Sequence, residues 1–576
     1  MSLRVAGTIA ASSLRASEVS MAVATANIAN SDTDGYTRKT ANQTSRTIAV
    51  GYATGVDIAS VSSVVDQYLL KTLVGATSDV GYTGTMAASL DLLQQRLGST
   101  DGSGGTGIAD AIGDLADSLA TLTTSPESDS AKAAAVDDVN AMAESLRDLS
   151  STVQDLRAQA DEDIADTVDR INETLTTLKS LNDQIVKAKG LGQNTGDLED
   201  QRNTALQTLA GDIDIRYQTD SNGSLRVSTS SGTALLDSVV HGLSYTPASS
   251  VNADTHFSAI SVGGKDITGT LTSGTLAALV DLRDEALPNQ QARLDELATT
   301  LKDALNTAVN AGSTVPAPSS LTSAATVSAA DSLSGTGTLR LAVTNSDGTA
   351  ADVVDIDLST LSTVQDLMDA INATGSATAG IGSDGKLTIA ATDGSTGIAL
   401  GGDTAVGSGS KGLSAFFGFN DILTGTGASD LRVSPALLND SSRLPTAALS
   451  TAGGLAAGDT ALTSGDATTA SALSAVLTGT LSFDAAGGMS GRKGTAAAYA
   501  ADIIQGIATA ASAADTASDN ATAYSDSLTT TLTSQSGVNV DEETATISSL
   551  QSAYESAAAV MEVLQEMFET ALSMIK

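Results

Sequence analysis

Between positions 547 and 575, Ile547, Tyr554, Met561, Phe568 and Ile575 fall seven apart, and Leu550, Ala557, Leu564 and Ala571 fill the alternate seam. An apolar repeat of 3.5 residues held over four heptads fits neither a strand nor a helix standing alone. It requires a helix that lays one stripe along a partner, the pattern of a coiled-coil strand. Gly537-Val538-Asn539 breaks the chain before it, and Asp541, Glu542 and Glu543 then suit the positive end of the helix dipole. A helix running from there to the last residue, Lys576, would span roughly 54 Å.

The opposite end reads as a complement. Residues 3 to 30 form a helix with two apolar seams, one through Leu3, Ala10, Leu14, Met21, Ala24 and Ile28, the other through Val5, Ile9, Ala16, Val19 and Val23. A helix that is apolar on two sides needs more than one neighbour. Ser31-Asp32-Thr33-Asp34-Gly35 ends it, with Gly35 free to take a positive φ. Over residues 1 to 50, Arg4, Arg15, Arg38, Lys39 and Arg46 outnumber Glu18, Asp32 and Asp34, whereas residues 536 to 576 carry seven acids against Lys576. Opposite charge favours pairing of the two ends by modest, salt-screened amounts.

Composition narrows the function classes. The chain has 576 residues, a net charge of −38, and an aromatic content of only 3% with no Trp. That length predicts several domains, and the scarcity of aromatics predicts narrow helix seams and small β domains rather than an enzyme core. Such acidity makes nucleic acid and an anionic membrane poor partners. With no Cys and only His241 and His256, no thiol catalysis or His/Cys metal cluster is expected, and no EF-hand spacing occurs. No Gly-x-Ser-x-Gly elbow is present, so no cofactor and no catalytic residues are assigned. No run of about 18 apolar residues occurs, and Ser12, Ser13, Arg15, Ser17 and Glu18 interrupt any secretory hydrophobic region, which predicts export without a cleaved signal.

Along the chain, stripes at Met86, Leu90, Leu93 and Leu97, at Ile108 to Leu122, at Val139 to Leu156 and at Ile164 to Ile185 predict a helical rod. A period of two from about 213 to 262, with a turn at Asp220-Ser221-Asn222-Gly223, predicts a small antiparallel β unit. Helix resumes from Leu276 to Leu305. A Ser/Thr/Ala/Pro-rich shift near 312 to 335 opens a ββαβ-type insert: strands at Leu339–Val343 and Val354–Leu358, a helix at Val364–Ile371, and a strand through Leu387 and Ile389. From about 470 to 529 the chain is Ala-rich and helical. The expected fold class is therefore α+β multidomain: a discontinuous terminal coiled-coil domain (1–60 plus 530–576), a helical rod with its β unit (61–315 plus 430–529) and an inserted mainly-β surface domain (316–429).

Five blocks resemble bacterial flagellar axial proteins, the rod, hook and hook-associated family: Ala26-Asn27-Ile28-Ala29-Asn30 running to Thr33-Asp34-Gly35-Tyr36-Thr37-Arg38; Asp197-Leu198-Glu199-Asp200-Gln201-Arg202; Leu282-Arg283-Asp284-Glu285; Ser536 to Glu543; and Gln551, Ala553-Tyr554-Glu555, Ala557 with Glu566-Met567-Phe568. The likeness is closest to the hook-associated proteins of the hook-filament junction. Ala26 stands where the family usually has Asn, and Asp34 where Pro is common. The resemblance implies a structural protein passed through the flagellar type III export apparatus with an export chaperone. It would form a homo-oligomeric ring outside the cell, against the hook protein and the second junction protein. It also implies an assembly interface on Leu14, Met21, Asn27, Ile28, Asn30, Gly35, Tyr36, Ile547, Leu550, Tyr554, Met561, Leu564 and Phe568, with both ends ordering on assembly. The helices before residue 305 read instead as intramolecular core. Rival readings are a hook or distal-rod protein, which shares the N-terminal block, and a secreted adhesin using the insert.

Overall fold

The computed structural model describes residues 3–47, 53–97 and 107–574; the last heptad position, Ile575, and Lys576 lie outside them. The chain folds as two units, one made of 1–90, 158–283 and 511–576, the other of 91–157 and 284–510. The architecture is α+β, with long helices and several small antiparallel sheets.

In the first unit the N-terminal helix, Leu3–Ala29, packs on the C-terminal helix, Val540–Ser573. The C-terminal helix begins where the N-terminal one has just ended, because Arg38 bonds Glu543 there at 2.6 Å, so the pair runs antiparallel. The N-terminal helix buries small residues, Ala10, Ala16 and Ala24. Its other face carries a hairpin of strands Lys39–Thr47 and Ala53–Ser63, where Ser12 Oγ accepts the Val56 N–H at 3.1 Å. Thus the two-seamed helix does find two neighbours. The hairpin was not foreseen: its strands, KTANQTSRT and ATGVDIASVSS, have no clear apolar face to betray a period of two.

The same unit contains the second half of the 62-residue helix Asp129–Gly190, in which Ile164, Ile171, Leu175, Leu178 and Ile185 are all 0% exposed. Helix Gly196–Asp212 follows, then two three-stranded sheets within 215–266. Each sheet is pinned to the long helix by an asparagine. Asn182 donates to Leu225 O at 2.8 Å and accepts from Leu225 N at 3.0 Å; Asn172 does the same for Leu243 at 2.9 and 2.8 Å.

In the second unit, helix Ile108–Thr124 buries Ile108, Ile112, Leu115, Leu119 and Leu122, and packs on helix Thr468–Thr478, which also contacts Leu287–Val309. The backbone widens to a π turn at Leu282–Ala286 just before that last helix. Pro288, which has no N–H to give to the preceding turn, supplies the physical cause. The inserted module has two three-stranded sheets, one ordered 350–357, 335–344, 397–406 and the other 377–381, 386–391, 320–326, around helix Val364–Asn372. That helix starts with a capping box of Thr363 and Asp366. The foreseen strands and helix are present; the strands Ser320–Thr326 and Gly397–Val406 were concealed by Ser/Thr/Ala and Gly content that reads as linker. The Ala-rich stretch after 470 is not helical throughout. Strands Leu481–Phe483 and Arg492–Gly494 interrupt it, and Phe483 stacks on Tyr499 at 4.1 Å between ring centroids.

Candidate assembly site at the paired chain ends

The turn after the N-terminal helix is where separate parts of the chain meet. Asn27, wholly buried in the last turn of that helix, donates to Lys39 O at 2.9 Å and accepts from Lys39 N at 3.0 Å, so one amide fixes where the hairpin begins. The Tyr36 hydroxyl donates to the same Asn27 oxygen at 3.0 Å. Burial first, then the charges of Asp197, Asp200 and Glu543, push the Tyr36 phenol up to about 12, so it stays a donor. Gly35 makes the turn possible at φ +74°, and a Cβ there would lie 2.6 Å from Thr204 Oγ1.

Two further segments are locked to this turn. Asp200, in helix Gly196–Asp212, accepts from Thr37 N at 2.9 Å and Thr37 Oγ1 at 2.6 Å, and forms an ion pair with Lys39 Nζ. Lys39 Nζ also donates to Thr37 O at 2.8 Å and lies 4.3 Å from the centre of the Tyr36 ring. Lys39 and Asp200 are both buried, with side chains 3% and 8% exposed. On the other side Arg38 N donates to Ser536 O at 2.7 Å, while Arg38 Nε donates to Glu543, whose side chain is 3% exposed. Asn539 caps the C-terminal helix by accepting from Asp541 N and Glu542 N at 3.0 and 3.3 Å. The first-turn acids thus include one, Glu543, that is a buried docking group. Opposite charge does join the two ends.

The expected interface residues divide into three groups. Asn27, Gly35 and Tyr36 sit in this junction, and Asn30 is beside it, turned back to Ala26 O. Leu14, Met21, Ile28, Ile547, Leu550 and Leu564 are half-buried along the helix pair. Beyond Ile547 in the same seam, Tyr554, Met561 and Phe568 remain 39%, 36% and 47% exposed, and Val560, Val563, Met567 and Leu572 are exposed as well. Of the nine heptad positions named, Ala557 alone is buried among the described residues. Thr37, Arg38, Lys39, Asp200 and Glu543 were missed as site residues, although all but Lys39 stood inside the blocks that carry the resemblance.

The Leu282 to Glu285 block does separate work. Arg283, 1% exposed, bonds Asp161 at 2.9 Å and lies 4.2 Å from the Phe257 ring centre; Asp161 also takes the Tyr245 hydroxyl and the Ala248 N–H. This is a buried charge held by a complete set of donors, the arrangement that a folded core tolerates.

Comparison with known proteins finds likeness in the stretches that hold these blocks. Residues 95–317 match the family described as the flagellar hook-associated protein FlgK helical domain, residues 8–37 the flagella basal body rod protein family, and residues 532–574 the flagellar basal body rod FlgEFG protein C-terminal family. The flagellar hook-associated protein 1 of Bacillus subtilis is 25% identical over 235 residues, 39% of this chain and 46% of its own. That of Escherichia coli is 24% identical over 313 residues, 53% of this chain and 56% of its own. The chain thus spans about half the length of the curated relatives it matches. The solved flagellar hook junction protein FlgK from Burkholderia pseudomallei aligns with 80% of this chain and 99% of its own, with a TM-score of 0.49 and 17% identity. With rod-family sequence at both ends and the hook-associated helical domain between, the chain is similar to flagellar hook-associated proteins along much of its length.

Proposed function

We propose that this chain is a structural component of the bacterial flagellum that joins hook to filament, assembling as a homo-oligomeric ring through its terminal helices. The observation that carries the reading is the half-satisfied helix pair. Its start is locked by Arg38, Asn539 and Glu543, yet Tyr554, Met561 and Phe568 keep a continuous stripe open on the C-terminal helix. Covering a large apolar side chain fully is worth roughly 1.5–3 kcal/mol, so several half-exposed ones give neighbouring subunits a useful driving force. On this reading Leu14, Met21, Ile28, Ile547, Leu550 and Leu564 complete the packing, and the hook protein and second junction protein lie to either side. Passage would use the type III export apparatus with a chaperone, and the site of action is extracellular. The role is mechanical rather than catalytic. Among the described residues no helix is long and apolar enough to cross a membrane.

Deleting residues 541 to 576 tests the reading in cells. Hooks without filaments, with flagellin lost to the medium, are expected; normal filaments would refute it. In the purified protein, Met561→Asp should block ring assembly while leaving the circular dichroism spectrum unchanged. Global unfolding would count against an exposed, intersubunit role for Met561.

A further inference from the structure

We infer that the inserted module binds an acidic, extended peptide segment of another protein as an added β-strand along Ser320–Ala324. The inference concerns this module alone and does not depend on the junction role.

Every sheet edge offers unpaired N–H and C=O groups, and folded proteins usually cover or cap them. Three edges of this module are treated that way. On strand Ala377–Ile381, Asn372 donates to Ala379 O at 3.0 Å and takes Ala379 N at 2.8 Å. On strand Ala350–Asp357, Ala350 N bonds Asp459 O and Gly458 N bonds Ala350 O, both at 2.8 Å. On strand Gly397–Val406, Ile398 N bonds Pro318 O at 2.7 Å.

The fourth edge, strand Ser320–Thr326, differs. It pairs on one side with Lys386–Ala391, in a register that sets Ser320 opposite Ala390, Leu321 opposite Ile389 and Thr322 opposite Thr388. Ala391 N donates to Ser319 O at 2.9 Å. Because an antiparallel ladder alternates, Ser319 and Leu321 bond inward, and the backbone groups of Ser320 and Thr322 point away from it. Among the described residues nothing bonds those outward groups. Ser320, Thr322 and Ala324 are exposed, uncharged and small, so this edge has no Lys, Pro or inward charge to repel a strand.

The open edge forms one wall of a cavity of about 420 Å³, closed on other sides by Phe419–Ile422 and Ser434–Leu437. That volume lies within the range of sites that take a ligand. Its lining includes two cations, Lys386 and Arg443, and one carboxylate, Asp421; among the described residues neither cation is in direct ion-pair contact, though the charge of Arg443 helps to hold the nearby Asp440 carboxyl below its usual range. Asp421 is already engaged by Asn310 Nδ2 at 2.6 Å. In a chain of net charge −38, two cations free of direct ion pairs beside an unguarded edge select a segment that brings its own carboxylates. Main-chain bonds to Ser320 and Thr322 would supply affinity, and the cations would supply selection.

The test uses the full chain and a fluorescent, end-blocked peptide Glu-Thr-Val-Thr-Glu, with binding read by anisotropy. Binding is expected, with a loss of about tenfold or more for Thr322→Pro, which removes the outward N–H without taking a ladder bond. Thr322→Val, which keeps the N–H, should bind like the parent chain. The same loss is expected for Lys386→Glu with Arg443→Glu, for a Lys-flanked peptide, and for the acidic peptide methylated on its central amide nitrogens. Absence of binding overturns the inference. So does a methylated peptide that binds as tightly as the parent, because the site would then recognise carboxylates, such as those of an acidic glycan, and not a strand.

Discussion

Removing the Asp200 carboxylate should undock the hairpin from its helix while leaving the inserted module intact. Asp200→Ala deletes the acceptor of two Thr37 bonds, at 2.9 and 2.6 Å, and the partner of Lys39, whose side chain is only 3% exposed. Breaking a buried pair by deleting one member costs roughly 3–5 kcal/mol, because the remaining charge is stranded. Lys39 is not wholly stranded here. It keeps Thr37 O at 2.8 Å and Thr37 Oγ1 at 3.2 Å, and it keeps the Tyr36 ring, a contact worth roughly 0.5–2 kcal/mol. The low end, about 3 kcal/mol, is therefore expected, a rise of about a hundredfold in the opening constant. Native-state hydrogen exchange reads this directly. Amides of Lys39–Thr47 and of the first turns of Gly196–Asp212 should lose protection by that factor, while those of Gly335–Thr344 should not change. Unchanged protection near Lys39 would refute the assignment of Asp200 as the docking group, and an equal loss in both regions would show a global effect. The paired change Lys39→Met with Asp200→Leu should recover most of the stability, since a buried ion pair replaced by apolar groups is often neutral.

The remaining predictions use the same contacts. Gly35→Ala adds a Cβ 2.6 Å from Thr204 Oγ1 at a φ of +74°, and should destabilise the turn by roughly 1–3 kcal/mol, read as faster exchange of the Tyr36 to Lys39 amides. Arg283→Met leaves Asp161 buried without its cation and should cost roughly 3–5 kcal/mol in urea unfolding; a loss under about 1 kcal/mol would mean that Tyr245 and Ala248 N–H suffice. Exchanging Arg38→Lys with Lys39→Arg keeps the net charge, yet should destabilise the junction in the same assay. A planar guanidinium cannot replace an ammonium that donates to Thr37 O, Thr37 Oγ1 and Asp200 in a site 3% exposed, and a neutral result would show that charge alone matters.

What the sequence disclosed follows from which physical signals are periodic. Helices with apolar spacing of three and four were legible, because Ile108, Ile112, Leu115, Leu119 and Leu122 each repeat one burial decision. Strands with a one-sided core, such as Leu339 and Leu341, were also legible. The strands of the Lys39–Ser63 hairpin were not, since they are held to their helix by Asn27 and Ser12 rather than by a stripe. The same device recurs: Asn172, Asn182, Asn306 and Asn372 each bracket a single residue through its N–H and C=O. An asparagine on a helix has no spacing that announces this, because its partner is fixed only when the fold closes. The site was half legible for a related reason. Tyr36, Thr37, Arg38, Asp200 and Glu543 all stood in recognisable blocks, but their convergence is a property of three dimensions.

Arg38 and Lys39 explain why the heptads need not be satisfied within one chain. Successive side chains at the start of a strand point to opposite faces. Arg38 therefore reaches Glu543 while Lys39 reaches Asp200, and two adjacent residues clamp segments that are distant in sequence. The backbone of Arg38 is held as well, donating to Ser536 and accepting from Val64. The start of the C-terminal helix is thus positioned by polar, directional contacts at one point. Its apolar seam, which in an ordinary two-stranded coil would have to supply the pairing energy, is relieved of that task. A seam relieved in this way can leave Tyr554, Met561 and Phe568 open without losing its place on the N-terminal helix. The polar clamp and the uncovered stripe are consequently two sides of one arrangement: orientation is fixed by directional contacts at the start of the helix, and the apolar area of Tyr554, Met561 and Phe568 stays uncovered within the chain.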